Sequence, residues 1–511
     1  MSSAAHLLPR HPRLVTISVM LASLLYSIDW TIAAVALPHM QGAFSATHDQ
    51  IGWVITSYIV ASAIAIPTAG WLSVRYGRKR LFVWAMLGFT IASIFCGAAE
   101  TLAMEVASRI VQGMCGAFLI PLSHAVILDT YPPAEHGKAM ALWGAGSVFG
   151  SFLGPTLGGY LTEYMSWHYI FYINVPFGLL AAAGIASFVP ETPRDPHRPF
   201  DALGFVSLGI AIGSFQLMLD RGGSLDWFES QEIVIEACLV VSGLYVFISH
   251  SLTTDHPFLH LALFTQRNFV LGLGFVFMYG LLTVPPLVLM PTFLQEIRGY
   301  PIDTIGLLQA PRGVGMLFAM IVGGRITGRI DPRPLIALGL LCIAVSAAEM
   351  STWNAEVGVW PLVWTNFVQG VGGGIILVPI QVIAFPGIAP TLRTEAAATY
   401  NLIRSIGASI GVSAALTLFV RGGTSQRSRL AEHLTPYSEA LNHAGDSMTR
   451  HLDSLRGLAR LDHELDLQAA MMSYVADFRL LAFAALAGLP LLLLVRKPAP
   501  PSLEDTVAAA E

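Results

Sequence analysis

At 511 residues, 54% of them hydrophobic and only 12% charged, the chain has about half the charged share of roughly 25% that soluble domains carry, which places it in a lipid bilayer. A formal net charge of -5 without a basic stripe excludes a nucleic-acid partner. All four cysteines fall inside apolar runs, which points to small buried residues and against a disulfide framework or a metal cluster.

Arg10 and Arg13 precede the first apolar run, 14-37. That run is too long for a signal peptide and many like it follow, so it is expected to be retained as a span. Its 24 residues, at about 1.5 Å each, cross a hydrocarbon core of roughly 30 Å. Within it, Tyr26-Ser27-Ile28-Asp29-Trp30-Thr31 sets one carboxylate deep in the membrane. An acid there is costly unless it faces protein or water, so Asp29 is a functional candidate. Burial favours its protonated form and a nearby cation its charged form, the two states a proton exchanger needs. A permanently paired structural acid is the alternative.

Further runs lie near 51-71, 80-99, 104-127, 138-161, 169-189, 203-220, 232-250, 268-290, 303-328, 334-352, 359-383, 395-420 and 474-495, fourteen with the first, which puts both termini on one side. The termini and the loops on their side hold sixteen Lys and Arg, the short loops opposite only Arg221 and Arg298. By the positive-inside rule the termini are cytoplasmic, and the six basic residues of the long loop 421-473 are exempt from the count.

In the loop after span two, Gly70 and Arg75-Tyr76-Gly77-Arg78-Lys79-Arg80 form either a gate pairing with helix ends and acids across the bundle, or an ordinary positive-inside anchor. In span four Arg109 lies deep enough to need a partner, and Asp29 is the natural one; His124 further along could titrate or serve as a hydrogen-bonded structural residue. In span five, Gly146, Gly150, Gly154 and Gly158 recur every four residues as one stripe for close helix approach, and Pro155 removes a backbone hydrogen bond. Such a stripe is a close-packed, bendable seam between bundles, or plain packing. Within 421-473, Thr435-Pro436 followed by Glu439 reads as a helix start, and Leu452, Leu455, Leu458, Leu461 and Leu465 keep helical spacing, which predicts a helical hairpin outside the membrane.

An internal repeat organises these spans. Val111-Gln112-Gly113 of span four recurs as Val368-Gln369-Gly370 of span twelve, an offset of 257. Gly150 and Gly154 match Gly407 and Gly411, the loop starting at Gly70 matches one starting at Gly324, and Pro38, closing span one, matches Pro291, closing span nine. Spans one to six and nine to fourteen are therefore two copies in parallel, with seven and eight inserted between them, an arrangement that puts a transport site near the midplane. The expected division is 1-190, a six-helix bundle; 191-267, two inserted spans and linkers; and 268-511, the second bundle with loop 421-473. Candidate cavity residues in the core spans are Trp30, Gln112, Tyr279, Gln309, Asn366, Gln369, Asn401 and Arg404, each equally suited to an interhelical hydrogen bond. Arg312 and Arg404 add positive charge, which leaves an anionic or amphiphilic acid cargo open.

With Asp29-Trp30-Thr31 through Pro38, the Arg109-Gln112-Gly113 set, Gly150, Gly154-Pro155 and Gly158-Gly159, Phe171-Tyr172-Ile173-Asn174-Val175-Pro176-Phe177-Gly178, and Leu219-Asp220-Arg221-Gly222 with Asp226-Trp227-Phe228, the chain resembles the major facilitator superfamily, in particular the fourteen-span EmrB/QacA-type drug:proton antiporters of the EmrB branch. Val74 stands where that family usually has an acid, and Ala141 where the antiporter signature often begins with Gly. The resemblance implies an all-α integral membrane protein with the major facilitator fold. It gives Asp29 and Arg109 a role in proton coupling, Arg109 otherwise being a static anchor, and makes Gly150, Gly154, Pro155, Gly158 and Gly159 the antiporter seam. It also implies the bacterial inner membrane, and a periplasmic membrane-fusion adaptor and outer-membrane channel as partners, for which loop 421-473 is a docking surface or a simple cap.

No phosphate-cradling Gly-x-x-x-x-Gly-Lys loop occurs, so ATP does not drive the cycle, no cofactor is expected, and nothing suggests an enzyme. The expected function is proton-coupled efflux of amphipathic drugs, with export of one metabolite, fatty acid or siderophore as the second reading. A non-transporting membrane sensor is the third, and the retained Asp29 and Arg109 speak against it.

Overall fold

The computed structural model describes residues 11–132, 135–327, 330–433 and 455–495, and among them every regular element is a helix. The first rods are α1 (Pro12–Ala43); α2 (His48–Ala65), continuing through Pro67 into α3 (Ala69–Tyr76); α4 (Arg78–Gly97); α5 (Leu102–Gly116), followed by α6 (Leu119–Thr130); α7 (His136–Tyr164); and α8 (Tyr169–Tyr172) leading into α9 (Asn174–Phe188). Then come α10 (Ala202–Arg221), α11 (Gln231–Thr253) and the short α12 (Ala262–Thr265). The last rods are α13 (Arg267–Thr283) with α14 (Pro285–Thr292), α15 (Ile302–Ile326), α16 (Pro332–Met350), α17 (Val359–Ala384), α18 (Arg393–Glu432) and α19 (Leu455–Ala487).

Side-chain caps fix several starts: Thr47 and Gln50 form a reciprocal capping box on α2, Thr101 accepts from the Met104 N–H on α5, and Asp201 from the Gly204 N–H on α10. Thirteen helices of the described residues are long and apolar enough to cross a membrane. The remaining rod, α7, carries seven glycines, which dilute its hydropathy without shortening it, and the chain is a multi-pass membrane protein. Large apolar side chains such as Val241 and Tyr245 of α11 stand exposed on the outside of the bundle, as lipid requires. Cys238, on the same helix, is exposed too, which corrects the expectation that all four cysteines are buried.

The parallel repeat is visible in the packing. Gly150 and Gly154 of α7 lie against the backbone carbonyls of Leu24 and Ile28 on α1, and Gly407 and Gly411 of α18 lie likewise against those of Phe277 and Leu281 on α13. A side chain at any of these positions would separate the two helices. Helices α1, α2, α4, α5, α7 and α9 pack among themselves, as do α13, α15, α16, α17, α18 and α19, while α11 pairs with α10, which packs on α2 and α18. The two groups meet where α7 packs on α15, and where α3 and α6 pack on α18.

Two expectations about helix ends are corrected. Pro38 does not close span one but sits inside α1, which runs on to Ala43; losing one backbone donor at this point does not stop the helix. The loop 421-473 is not a separate hairpin in its described part. The 40 residues of α18, about 60 Å at 1.5 Å each, are twice the hydrocarbon thickness. The helix therefore continues beyond the lipid, where Arg427 pairs with Asp462 (2.6 Å) and Asp466 (2.7 Å) of the equally extended α19. Thr435, Pro436, Glu439 and Leu452 lie outside the described residues.

Candidate functional site

The bundle has a near end, where α1 starts, and a far end, where α1 finishes. Midway through α1, Asp29 is 0% exposed, and two helices supply its three donors. Arg109 Nη1 of α5 donates to Oδ2 at 2.9 Å, and Oδ1 accepts from Gln112 Nε2 of α5 and Asn174 Nδ2 of α9, each at 2.9 Å. The donors are themselves positioned. Ser93 Oγ of α4 accepts from both Gln112 (3.2 Å) and Asn174 (3.0 Å) and donates to the Phe171 carbonyl. Arg109 also donates to Gln112 Oε1 (2.7 Å) and the Val54 carbonyl (3.2 Å), and its guanidinium lies 4.2 Å from the centroid of the Tyr58 ring, a cation–π contact. Gly113 makes this possible, since a Cβ there would strike the Tyr58 backbone.

A buried ion pair whose carboxylate oxygens both accept hydrogen bonds loses its balance once one partner is neutralised. Neutralising Asp29 would remove the charge that balances Arg109.

The repeat places no second acid opposite. At the offset linking α1 to α13, Leu282 stands where Asp29 does, and Asn366 and Gln369 stand where Arg109 and Gln112 do. Asn366 donates to the Leu362 carbonyl of its own helix. Both amide atoms of Gln369 are buried without a hydrogen-bond partner among the described residues.

Of the candidate cavity residues, Gln112 is engaged in the Asp29 network, its amide oxygen accepting from Arg109 and its nitrogen donating to Asp29. Trp30, beside Asp29, is 38% exposed. Arg404 of α18 lies within electrostatic reach of Tyr26 on α1, Tyr279 on α13 and Tyr400, and Arg312 of α15 within reach of Tyr279. Tyr26 in turn packs beside Tyr58, ring centroids 6.3 Å apart. Arg312 is buried and donates to the Thr283 carbonyl; among the described residues neither it nor Arg404 forms a salt bridge. Gln309 is half-buried, and Asn401 donates to the Ala397 carbonyl one turn back.

The glycine stripe faces α1, which corrects its reading as a seam between bundles. A Cβ on Gly146, Gly150, Gly154 or Gly158 would meet Met20, Leu24, Thr31 and Ile32 respectively, the residues of α1 that flank Asp29. Gly159 has nothing within 4 Å and Pro155 is exposed. The contact between the two groups uses another face of α7, where Gly137 and Ala141 meet Gly324, and Gly144 meets Met320 of α15.

At the near end Asp129 of α6 is held from both groups at once, by Arg78 at the start of α4 and by Arg393 at the start of α18 (2.5 Å). Arg78 Nε also donates to Thr394 Oγ1 (2.9 Å). Gly70 lets α3 close on Glu395 of α18. Gly77 turns the chain at φ +89°, in the region that favours glycine. Arg75 joins none of this, donating instead to the Arg198 carbonyl of the following linker (3.0 Å). His124 is not hydrogen-bonded: its ring nitrogens are unpartnered, and Trp143, Phe385 and Tyr400 surround it from both groups.

The sequence reading missed Asp129, Arg393, Thr394, Glu395, Ser93 and Glu105 as site residues. Asn174 stood in a quoted motif without a role. Only Glu105 had a usable signal, an acid one turn before Arg109.

A family model described as Major Facilitator Superfamily matches residues 19–412. Among curated proteins, Multidrug export protein EmrB of Escherichia coli (strain K12) is 35% identical over 427 residues, 83% of either chain. Fatty acid resistance protein FarB of Neisseria gonorrhoeae is 36% identical over 434 residues, 84% of this chain and 85% of that protein. Among solved structures, the human organic anion transporter MFSD10 superposes with a TM-score of 0.62 at 16% identity, covering 93% of this chain and 99% of that one. A double-tryptophan mutant of XylE superposes with a TM-score of 0.63 at 13% identity, covering 98% and 99%.

Proposed function

Because the chain belongs to the Major Facilitator Superfamily, we propose that it is a multidrug exporter that trades protons for amphipathic cargo by alternating access, a transporter and not an enzyme. The observation that carries this reading is the enclosed Asp29–Arg109 pair, whose donors come from α5 and α9. Protonation of Asp29 releases those donors, and the loosened first bundle rocks on the second. The near end, closed around Asp129, is the cytoplasmic gate, with Gly70, Gly77 and Arg78 as its working parts. The chain then sits in the bacterial inner membrane with both termini in the cytoplasm. Its working division is 1-190, 191-267 and 268-511. Cargo meets Trp30, Tyr279, Gln309, Asn366, Gln369, Asn401 and the two arginines between the halves.

Vesicle transport across a panel of drugs with an imposed proton gradient tests this. Uptake into everted vesicles that collapses with the gradient is expected; uptake indifferent to it would end the exchange reading.

A second reading, export of an anionic amphiphile such as a fatty acid, is favoured by Arg312 and Arg404, two cations without a carboxylate partner in the transport region. On that reading Arg404→Ala lowers uptake of carboxylate-bearing members of the panel and spares cationic dyes. An equal loss for both kinds would return Arg404 to a structural role.

The extended pair α18 and α19 projects from the face opposite the gate and is the docking surface for a periplasmic membrane-fusion adaptor and, through it, an outer-membrane channel. Removing most of 421-473 should leave vesicle transport intact and abolish resistance in cells; equal resistance with and without the segment would reduce it to a cap.

A further inference from the structure

Glu105 has no part in the network described above, yet it is buried beside it. It is 0% exposed, and among the described residues neither carboxylate oxygen has a hydrogen-bond partner. It occupies the first turn of α5, behind the Thr101 cap, at the far end of the bundle. Arg109 follows four residues later, so the acid is one helical turn of about 5.4 Å further toward the far end than the guanidinium. The titratable groups around it are Arg109 on its own helix, Asp29 on α1 and Cys96 on α4, with Tyr58 of α2 across the guanidinium.

We propose that Glu105 is a second proton-carrying site, the station through which protons from the far side reach Asp29, and that Arg109 alternates between the two acids. The assignment rests on the proton-exchange reading of Asp29. An unpartnered ionised carboxylate is strongly disfavoured in a dry interior, so the enclosed pocket accommodates the neutral acid. Ionisation requires a donor, and the acid-first spacing of four residues is the favourable geometry for Glu and Arg on one helix. In the transfer, the O–H bond of the Glu105 carboxyl breaks and one forms on Asp29. Arg109 Nη1 leaves Asp29 for Glu105. One carboxylate, one carboxylic acid and one guanidinium exist before and after, so no net charge moves out of its pair, and Glu105 reloads from the far side.

Infrared titration of the purified full-length chain separates the carboxyl groups by their C=O bands. The wild type should show a band for a carboxylic acid free of hydrogen bonds, lost in Glu105→Gln and retained, displaced, in Glu105→Asp. In Asp29→Asn the Glu105 carboxyl should ionise, because Arg109 has lost its other acid, and the band should weaken at a pH where the wild type keeps it. A Glu105 band that ignores Asp29→Asn, or a spectrum unchanged by Glu105→Gln, would overturn the relay. If Asp29→Asn also keeps gradient-driven vesicle transport, the exchange reading itself has failed; if it abolishes that transport while the Glu105 band does not respond, only the second site has.

Discussion

Asp29→Asn is expected to abolish gradient-driven export while leaving the folded chain in the membrane at wild-type levels. Asparagine keeps an oxygen to accept from Arg109 or Gln112 but cannot carry the exchanged proton. Removing one partner of a buried ion pair costs about 3–5 kcal/mol when nothing replaces it. Here the residual carbonyl, Gln112 Oε1 and the face of Tyr58 still receive the guanidinium, so the fold survives the loss and the chemistry does not. Everted-vesicle uptake alongside immunoblot quantification reads both. Full activity in the variant would remove Asp29 from the mechanism.

Gly154→Leu should be nearly as damaging for a different reason. Even a Cβ at this position collides with Thr31 Oγ1 and comes within 3.1 Å of the Ile28 carbonyl, and inserting bulk into a packed interface costs about 1–3 kcal/mol. The strain is relieved by α1 moving off α7, which carries Asp29 away from donors fixed on α5 and α9. Gly159→Leu, five residues on where nothing lies within 4 Å, is the matched control. Transport lost in the first and kept in the second is the expected outcome. Equal transport in both would reduce the stripe to generic packing.

Much of this was legible in the sequence because membranes make few demands and enforce them strictly. Apolar length reported the spans, and a shared offset reported the parallel repeats. A charge inside an apolar run marked Asp29 and Arg109 individually, since neither is tolerated there without a partner. What stayed hidden depended on helix rotation. The stripe's spacing said that some helix comes close, but not that it is α1. Gln112 reads as a cavity residue until α5 is turned to aim it at Asp29, and Arg75 reads as a gate until the linker carbonyl is seen beside it. Ser93 and Asn174 are ordinary polar residues until α4 and α9 bring them to one carboxylate. Glu105 stands one turn before Arg109, but at the edge of a span, where an acid ordinarily reaches water, and its enclosure is what gives that spacing its weight. The reach of α18 was missed because apolar character stops at the lipid boundary and helix does not.

The proposed exchange of protons for cargo at Asp29 is tested most directly by weighing the two against each other in the purified chain. With a pH indicator in weakly buffered detergent solution, saturation with a compound that the vesicle panel identifies as exported should release protons at intermediate pH. The release should fall away at pH values where Asp29 is already fully ionised or held fully protonated, and should vanish in Asp29→Asn. Saturable binding with no proton release at any pH would contradict the account.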